Sequence, residues 1–486
     1  MKKDKKMTWI TLALMAFSTV WGFGNVVNGY MYFGGTQSIF SWVMMFVLYF
    51  VPYALIVGEL GSTFKNSGSG VTGWVRETIG PKMAYYAGWT YWAVHVTYLA
   101  SKSSAGLKAL SWVVFRNAET YDTFPTIAVQ LVTLGVFIAF CFLAMRGVSI
   151  VRRLAAVAGT SAFIMSILYV IMMFAAPAIN PDGGYITFEF TWEAIIPKFG
   201  PQYFTSLSIL VFAVGGCEKI SPYVNKVKNP SKDFPKGMIA LAAMVMVSAI
   251  LGTIAMSMMF PAVSQDDPEF SSYVSNGAYW AFQKLGNYYH IGDALLIIYA
   301  ITVAIGQFAT LIISIDAPLR MLLGDENARN FVPSRLLKQN KHGAYTNGIF
   351  LVMILTGTLI LIQSLVPGAA NVIQQLTKIN SVCMPLRYLW VFVSYIAMRR
   401  ISGRFESEYK FMKKRIFALI FGGWCFLVTA VFCIMGMYDK DPLTMILNIA
   451  TPIFLAGLGI ILPLIRKREQ KSLASGGAQQ EEISSK

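Results

Sequence analysis

Two side chains of opposite charge, Glu218 and Lys219, follow the glycine pair Gly215-Gly216 after the single residue Cys217, within the apolar run 203–222. Groups of this kind do the chemistry of ligand binding and gating. Glycine lets a helix open, and freed backbone groups persist at membrane depth only where protein or a wet cavity receives them. An ionisable residue beside such a break marks a candidate site. A second interruption, Gly22-Phe23-Gly24-Asn25, lies in the first apolar run, where the bland reading is close helix packing through small residues.

In the third run His95, Tyr98, Lys102 and Ala105 fall near helical spacing on one face. An ammonium that deep costs roughly 2.5–3.5 kcal/mol on insertion scales, so Lys102 needs a cavity or a partner. It either attracts a substrate carboxylate or pairs with Glu218 or another buried acid, and both readings stay open. Lys108, nearer the outer surface, is expected to snorkel. His95 reads as a packed, hydrogen-bonded residue more than a proton carrier. Glu59, ending the second run, is either an ion-pair member that locks the inner face or a titrating group. Lys219, about 100° around a helix from Glu218, reads as an internal ion-pair partner.

These residues must be positioned by membrane helices. Of 486 residues, 56% are hydrophobic and 13% charged, which excludes an ordinary soluble chain. About twelve apolar segments each approach the roughly 20 residues that cross a bilayer core. They are expected at about 8–32, 36–58, 84–113, 126–145, 154–176, 203–222, 238–261, 292–319, 346–366, 372–398, 416–437 and 444–464. The expected fold class is therefore all-α, a polytopic membrane protein.

The net charge of +16 is topological, not a nucleic-acid-binding surface. With the N-terminus in the cytoplasm, the outer loops hold only Arg116, Lys198, Lys284 and Lys440 of the 40 Lys and Arg, alongside acids such as Asp182, Asp266 and Glu269. The positive-inside rule then places both termini in the cytoplasm of a multi-pass cell-membrane protein. The first run is too long for a signal peptide and lacks a small-residue cleavage site, so it is expected to be a retained helix. Residues 177–202 and 262–291 read as outer loops covering a vestibule. The tail 466–486 is cytoplasmic and expected to be disordered.

The three histidines, His95, His290 and His342, lie far apart, and all five cysteines sit in apolar runs. No metal, no cofactor and no disulfide framework is expected. No nucleophile–base pair argues for an enzyme.

The breaks fall in the first and sixth spans, five spans apart. Paired glycine-interrupted segments in two halves are the sequence pointer to a transporter site near the midplane. The chain is thus expected to form a single transporter domain over 1–465. Within it, inverted repeats cover about 8–176 and 203–398, and two extra helices cover about 416–464. The extra helices read as scaffold or a homodimer interface. Span 10, with Thr377, Lys378, Asn380, Ser381 and Arg387, is too polar to face lipid and should line the pathway or meet the mobile bundle.

Four marks together resemble the amino acid–polyamine–organocation permeases. They are Glu59-Leu60-Gly61-Ser62-Thr63-Phe64 with Trp74 to Pro81, Gly216-Cys217-Glu218 with Lys228-Asn229-Pro230-Ser231-Lys232-Asp233-Phe234-Pro235, Arg146-Gly147-Val148, and Arg320-Met321-Leu322. Gly22-Phe23-Gly24-Asn25 most resembles the glutamate/γ-aminobutyrate antiporter-like branch. The resemblance implies a LeuT-like fold that moves an amino acid or related amine by alternating access. It implies that Gly22, Phe23 and Gly24 hold the substrate carboxylate, consistent with a half-helix N-terminus as an anion site. It further implies that carbonyls near Phe212 to Gly215 take the ammonium, Phe212 is an aromatic gate, Glu218 a gating carboxylate, and Lys102 lies near a substrate-contacting position.

Two departures matter. Phe23 stands where many members have Ser, so carboxylate contact there is by backbone alone. The span-5 Lys of some proton-coupled members is absent near Ala162, which weakens proton symport and leaves exchange, or proton coupling through another group, open. The competing readings are therefore an amino acid exchanger, a proton- or sodium-coupled amino acid or polyamine symporter, and a non-transporting membrane receptor. Lys102, Lys378 and Arg387 outweigh Glu218 in the spans, which tilts the substrate towards neutral or acidic amino acids.

Overall fold

The computed structural model describes residues 6–179, 191–365, 384–401, 403–439 and 441–484. Among these the chain is helical without strands; Met7–Val227 and Gln339–Tyr345 are isolated bridges. Nine helices are long and apolar enough to cross a membrane, and the bent pair Trp9–Val20 and Phe23–Tyr32 makes a tenth. The two remaining expected spans have plain explanations. The third, Pro81–Phe115, carries His95, Lys102, Lys108 and several hydroxyls, which dilute its hydropathy. The tenth begins outside the described residues, which also exclude Lys378, and resumes as Leu389–Arg400.

Helix starts follow local chemistry. Gly80 sits at φ +123 before Pro81, and Gly200 precedes Pro201, so each proline takes the first helical position, where its missing N–H costs nothing. In Asn229-Pro230-Ser231-Lys232-Asp233, the Asp233 carboxylate accepts from the Asn229 amide at 3.4 Å, capping the seventh span, Pro230–Ser257.

The fifth span, Val148–Ile179, crosses the first so closely that a Cβ on Gly159 would lie 1.9 Å from the Leu14 carbonyl oxygen. Small residues permit such crossings, which place the first span in the middle of the bundle. The eighth span, Ala294–Leu323, is tied to it where Thr310 donates to the Ser18 carbonyl at 3.0 Å.

Met7 pairs with Lys226 and Lys228 through backbone bonds of 2.8 Å. The C-terminal helix, Ile461–Ser484, reaches the same face: Arg466 donates to the Arg329 carbonyl at 2.8 Å, and the Ser334 amide donates to Glu469 at 3.1 Å. Among the described residues helix runs on to Ser484 within the tail expected to be disordered over 466–486; extending a helix from an anchored turn costs less than nucleating one. The segment expected as an outer loop at 262–291 contains the helix Phe270–Tyr288, whose Tyr279 stacks on Trp112 with ring centroids 4.8 Å apart.

Candidate functional site

Both expected breaks are present. The first span stops at Val20; Trp21 and Gly22 are extended, and helix resumes at Phe23 after a 42° bend. The Asn25 amide closes on the Gly22 carbonyl at 2.9 Å. Among the described residues, the amides of Gly22, Phe23 and Gly24 donate to no backbone carbonyl. Nothing lies within 4 Å of where a Cβ on Gly22 or Gly24 would stand. These amides are therefore open donors at a helix start, the kind of group that can receive an anion.

The sixth span, Pro201–Val214, opens at Gly215; Gly216 adopts φ +104, and the chain continues as a 3₁₀ helix over Cys217–Lys226. Asn25 joins the breaks: its side-chain amide donates to Val20 and Ala213 carbonyls, each at 3.3 Å. Its role is not legible in sequence, because its two acceptors lie on different spans.

Between the breaks is a cavity of about 400 Å³, lined by Gly22, Phe23, Gly24, Phe212, Gly215 and Lys102 among others. Every expected substrate residue thus borders one space. Phe23 borders it while its ring is buried against Tyr169, Phe282 and Tyr299. Phe212 packs on a cluster of Val94, Tyr98 and Met384. Val274, Ser275, Ala278 and Tyr279 of the helix Phe270–Tyr288 also line the cavity, away from the terminal face.

Four cations, Lys102, Lys108, Lys219 and Arg387, belong to the lining, and no carboxylate does among the described residues. Lys108 therefore borders the cavity instead of only snorkelling. Lys219 departs from its expected ion pair. In a 3₁₀ segment with about three residues per turn, it points roughly 120° from Glu218. Its ammonium donates to Ser314 at 3.2 Å and lies 4.9 Å from the Tyr98 ring centre.

Glu218 is fully buried and lies behind the lining, not on it. Tyr53 donates to one of its oxygens, and Arg387 meets the other at 3.4 Å. The Arg387 guanidinium also lies over the rings of Tyr91 and Tyr388, 5.1 Å from each centroid. Among the described residues Lys102 makes no ion pair with Glu218; its ammonium lies 5.1 Å from the Tyr98 ring centre.

The amino acid permease family model matches residues 7–461. The chain belongs to this family. It is similar to the aspartate/glutamate permease AcaP of Lactococcus lactis subsp. cremoris strain MG1363, 46% identical over 97% of each chain. The inner membrane transporter YjeM of Salmonella typhimurium is 25% identical over 80% of this chain and 81% of its own. The glutamate/gamma-aminobutyrate antiporter of Lactococcus lactis subsp. lactis is 24% identical, with 79% and 74% covered. The protein is an amino acid permease, a membrane transporter and not an enzyme.

In this permease the terminal face is held by polar ties remote from the cavity. Glu59 pairs with Arg399 at 2.8 Å and accepts from Tyr395 at 3.2 Å and the Phe411 amide at 2.8 Å. Asp316 accepts from Tyr223 and Arg320, both at 2.7 Å, joining the sixth and eighth spans. Arg76 reaches Asp325 at 3.1 Å; burial pushes the Asp325 carboxyl up, and the Asn327 amide and Arg76 draw it back. Arg399→Met should lower stability by about 2–3 kcal/mol, because it strands a buried carboxylate that keeps two other donors. Glu59→Gln should cost less. Melting of the purified protein measures both.

Proposed function

We propose that the permease carries acidic amino acids of the aspartate and glutamate class across the cytoplasmic membrane by alternating access, exchanging one amino acid for another. The observation that carries this reading is the charge of the cavity: four lining cations and no lining carboxylate among the described residues. A cationic, enclosed site favours an anion and disfavours polyamines. The name of the 46% identical relative, an aspartate/glutamate permease, supports the same class.

The substrate α-carboxylate sits on the Gly22–Gly24 amides, and its ammonium meets carbonyls around Phe212 to Gly215. Phe212 closes over it as the gate. Glu218, through Arg387, couples the sixth-span break to span 10, and Glu59 with Arg399 holds the inner face shut. With both termini in the cytoplasm, the tied terminal face is the inner one and the cavity belongs to an outward-facing state. Exchange is favoured by Ala162 on the cavity wall, where a proton-coupling lysine would stand in other members. The last two spans, Arg415–Gly436 and Pro442–Gly457, present exposed Trp424, Leu427, Ile446 and Phe454, in keeping with a lipid- and dimer-facing flank.

Counterflow tests this. Proteoliposomes preloaded with glutamate should accumulate labelled glutamate at least ~10-fold faster than empty ones, a ratio worth about 1.4 kcal/mol. Putrescine or arginine inside should not support uptake. Equal uptake into empty vesicles under a proton or sodium gradient would replace exchange by symport, and binding without flux would indicate a receptor.

A further inference from the structure

Two ammonium groups converge on a single aromatic ring in the cavity. Lys102 Nζ lies 5.1 Å and Lys219 Nζ 4.9 Å from the centre of Tyr98. Lys219 is 2% exposed, yet its one hydrogen-bond acceptor among the described residues is a neutral hydroxyl, Ser314. The adjacent Glu218 carboxylate, held by Tyr53 and Arg387, acts on the ammonium by its charge but is not within ion-pair distance of it among the described residues. Arg387 and Lys102 face it as like charges that repel an ammonium, and the neighbouring His95 gives its Nδ1 to the Tyr91 carbonyl. A buried cation is tolerated where an anion completes its surroundings.

We propose that Lys102 and Lys219, set around the Tyr98 ring, form the subsite for the side-chain carboxylate of a dicarboxylic amino acid. The inference rests on the acidic-substrate reading above and says which residues select for it. The Gly22–Gly24 amides recognise the carboxylate common to all amino acids and cannot separate glutamate from glutamine. Lys102 and Lys219 can, because only a second charge repays their desolvation. Lys219 enters from the 3₁₀ half of the sixth span and Lys102 from the third, so the ligand bridges a broken helix and an unbroken one. Tyr98 offers its ring to both cations.

The test compares glutamate with glutamine as competitors of labelled glutamate uptake in proteoliposomes. Lys219→Met and Lys102→Met should each raise the inhibition constant of glutamate ~10-fold or more, the scale of one charge-assisted contact, while that of glutamine moves less than ~2-fold. Lys219→Arg, which keeps the charge, should recover most of the glutamate affinity. If both constants rise together, Lys219 is only a structural residue and the subsite is wrong. If neither moves, the ammonium does not meet the ligand, and the subsite is wrong again. Should the wild-type protein ignore both aspartate and glutamate, the acidic-substrate reading falls first and takes the subsite with it. Ligand-induced thermal stabilisation of each purified variant gives the same comparison where a variant binds but does not transport.

Discussion

Glu218→Ala should lower the stability of the purified permease by about 3–5 kcal/mol and cut counterflow at least ~100-fold. The alanine removes the acceptor of both the Tyr53 hydroxyl and the Arg387 guanidinium, and leaves that guanidinium buried against aromatic faces and the Met384 sulfur, with no carboxylate partner among the described residues. An uncompensated buried charge is what makes breaking such a pair costly, whereas replacing the whole pair by apolar groups is often neutral. The double variant Glu218→Gln with Arg387→Met should therefore regain most of the lost melting temperature. Its transport separates two roles. If the pair latches the sixth-span break to the tenth span, as proposed, uptake stays low in the stable double variant. Uptake near the wild-type rate would make the pair a packing device, and a Glu218→Ala protein that melts like wild type would contradict the geometry itself.

The glycines of the two breaks should respond in opposite ways. A Cβ on Gly24 meets nothing within 4 Å, so Gly24→Ala should fold and melt like the wild-type protein. Its methyl would stand in the cavity beside the free amides and push a carboxylate off them. Losing charge-assisted bonds worth about 1.5–3 kcal/mol should weaken glutamate affinity ~10- to 100-fold. At Gly215 the added carbon would lie 2.3 Å from Cε2 of Tyr388, a rigid ring packed 5.5 Å from Tyr53. Gly215→Ala should thus destabilise the protein by about 1–3 kcal/mol through overpacking and should move Arg387 as well. Melting curves and glutamate binding on the two variants check this contrast. Equal stability losses at both positions would show that Gly24 is a packing glycine and not a binding one.

Much of the architecture follows from local properties of the chain. Apolar length gives the spans, and prolines after Gly80, Gly200 and Asn229 give their starts. The glycines at 22–24 and 215–216 give the breaks. These signals act within a few residues, which is why sequence alone determined them, and why it also supported the permease resemblance that the family match bears out. Sequence determined less about charge partners. Glu218 and Arg387 are 169 positions apart, and Glu59 and Arg399 340, so only helix packing could choose these pairs among several candidates.

The helix type mattered too. An internal acid is the expected partner of Lys219, but in the 3₁₀ segment past Gly216 its ammonium instead meets Ser314 and the ring of Tyr98 beside the cavity. The sequence determined that ionisable groups stand beside two broken membrane helices. Only the tertiary structure decided that the carboxylate lies behind the cavity wall and the ammonium on it, because burial and pairing are set by neighbours far away along the chain.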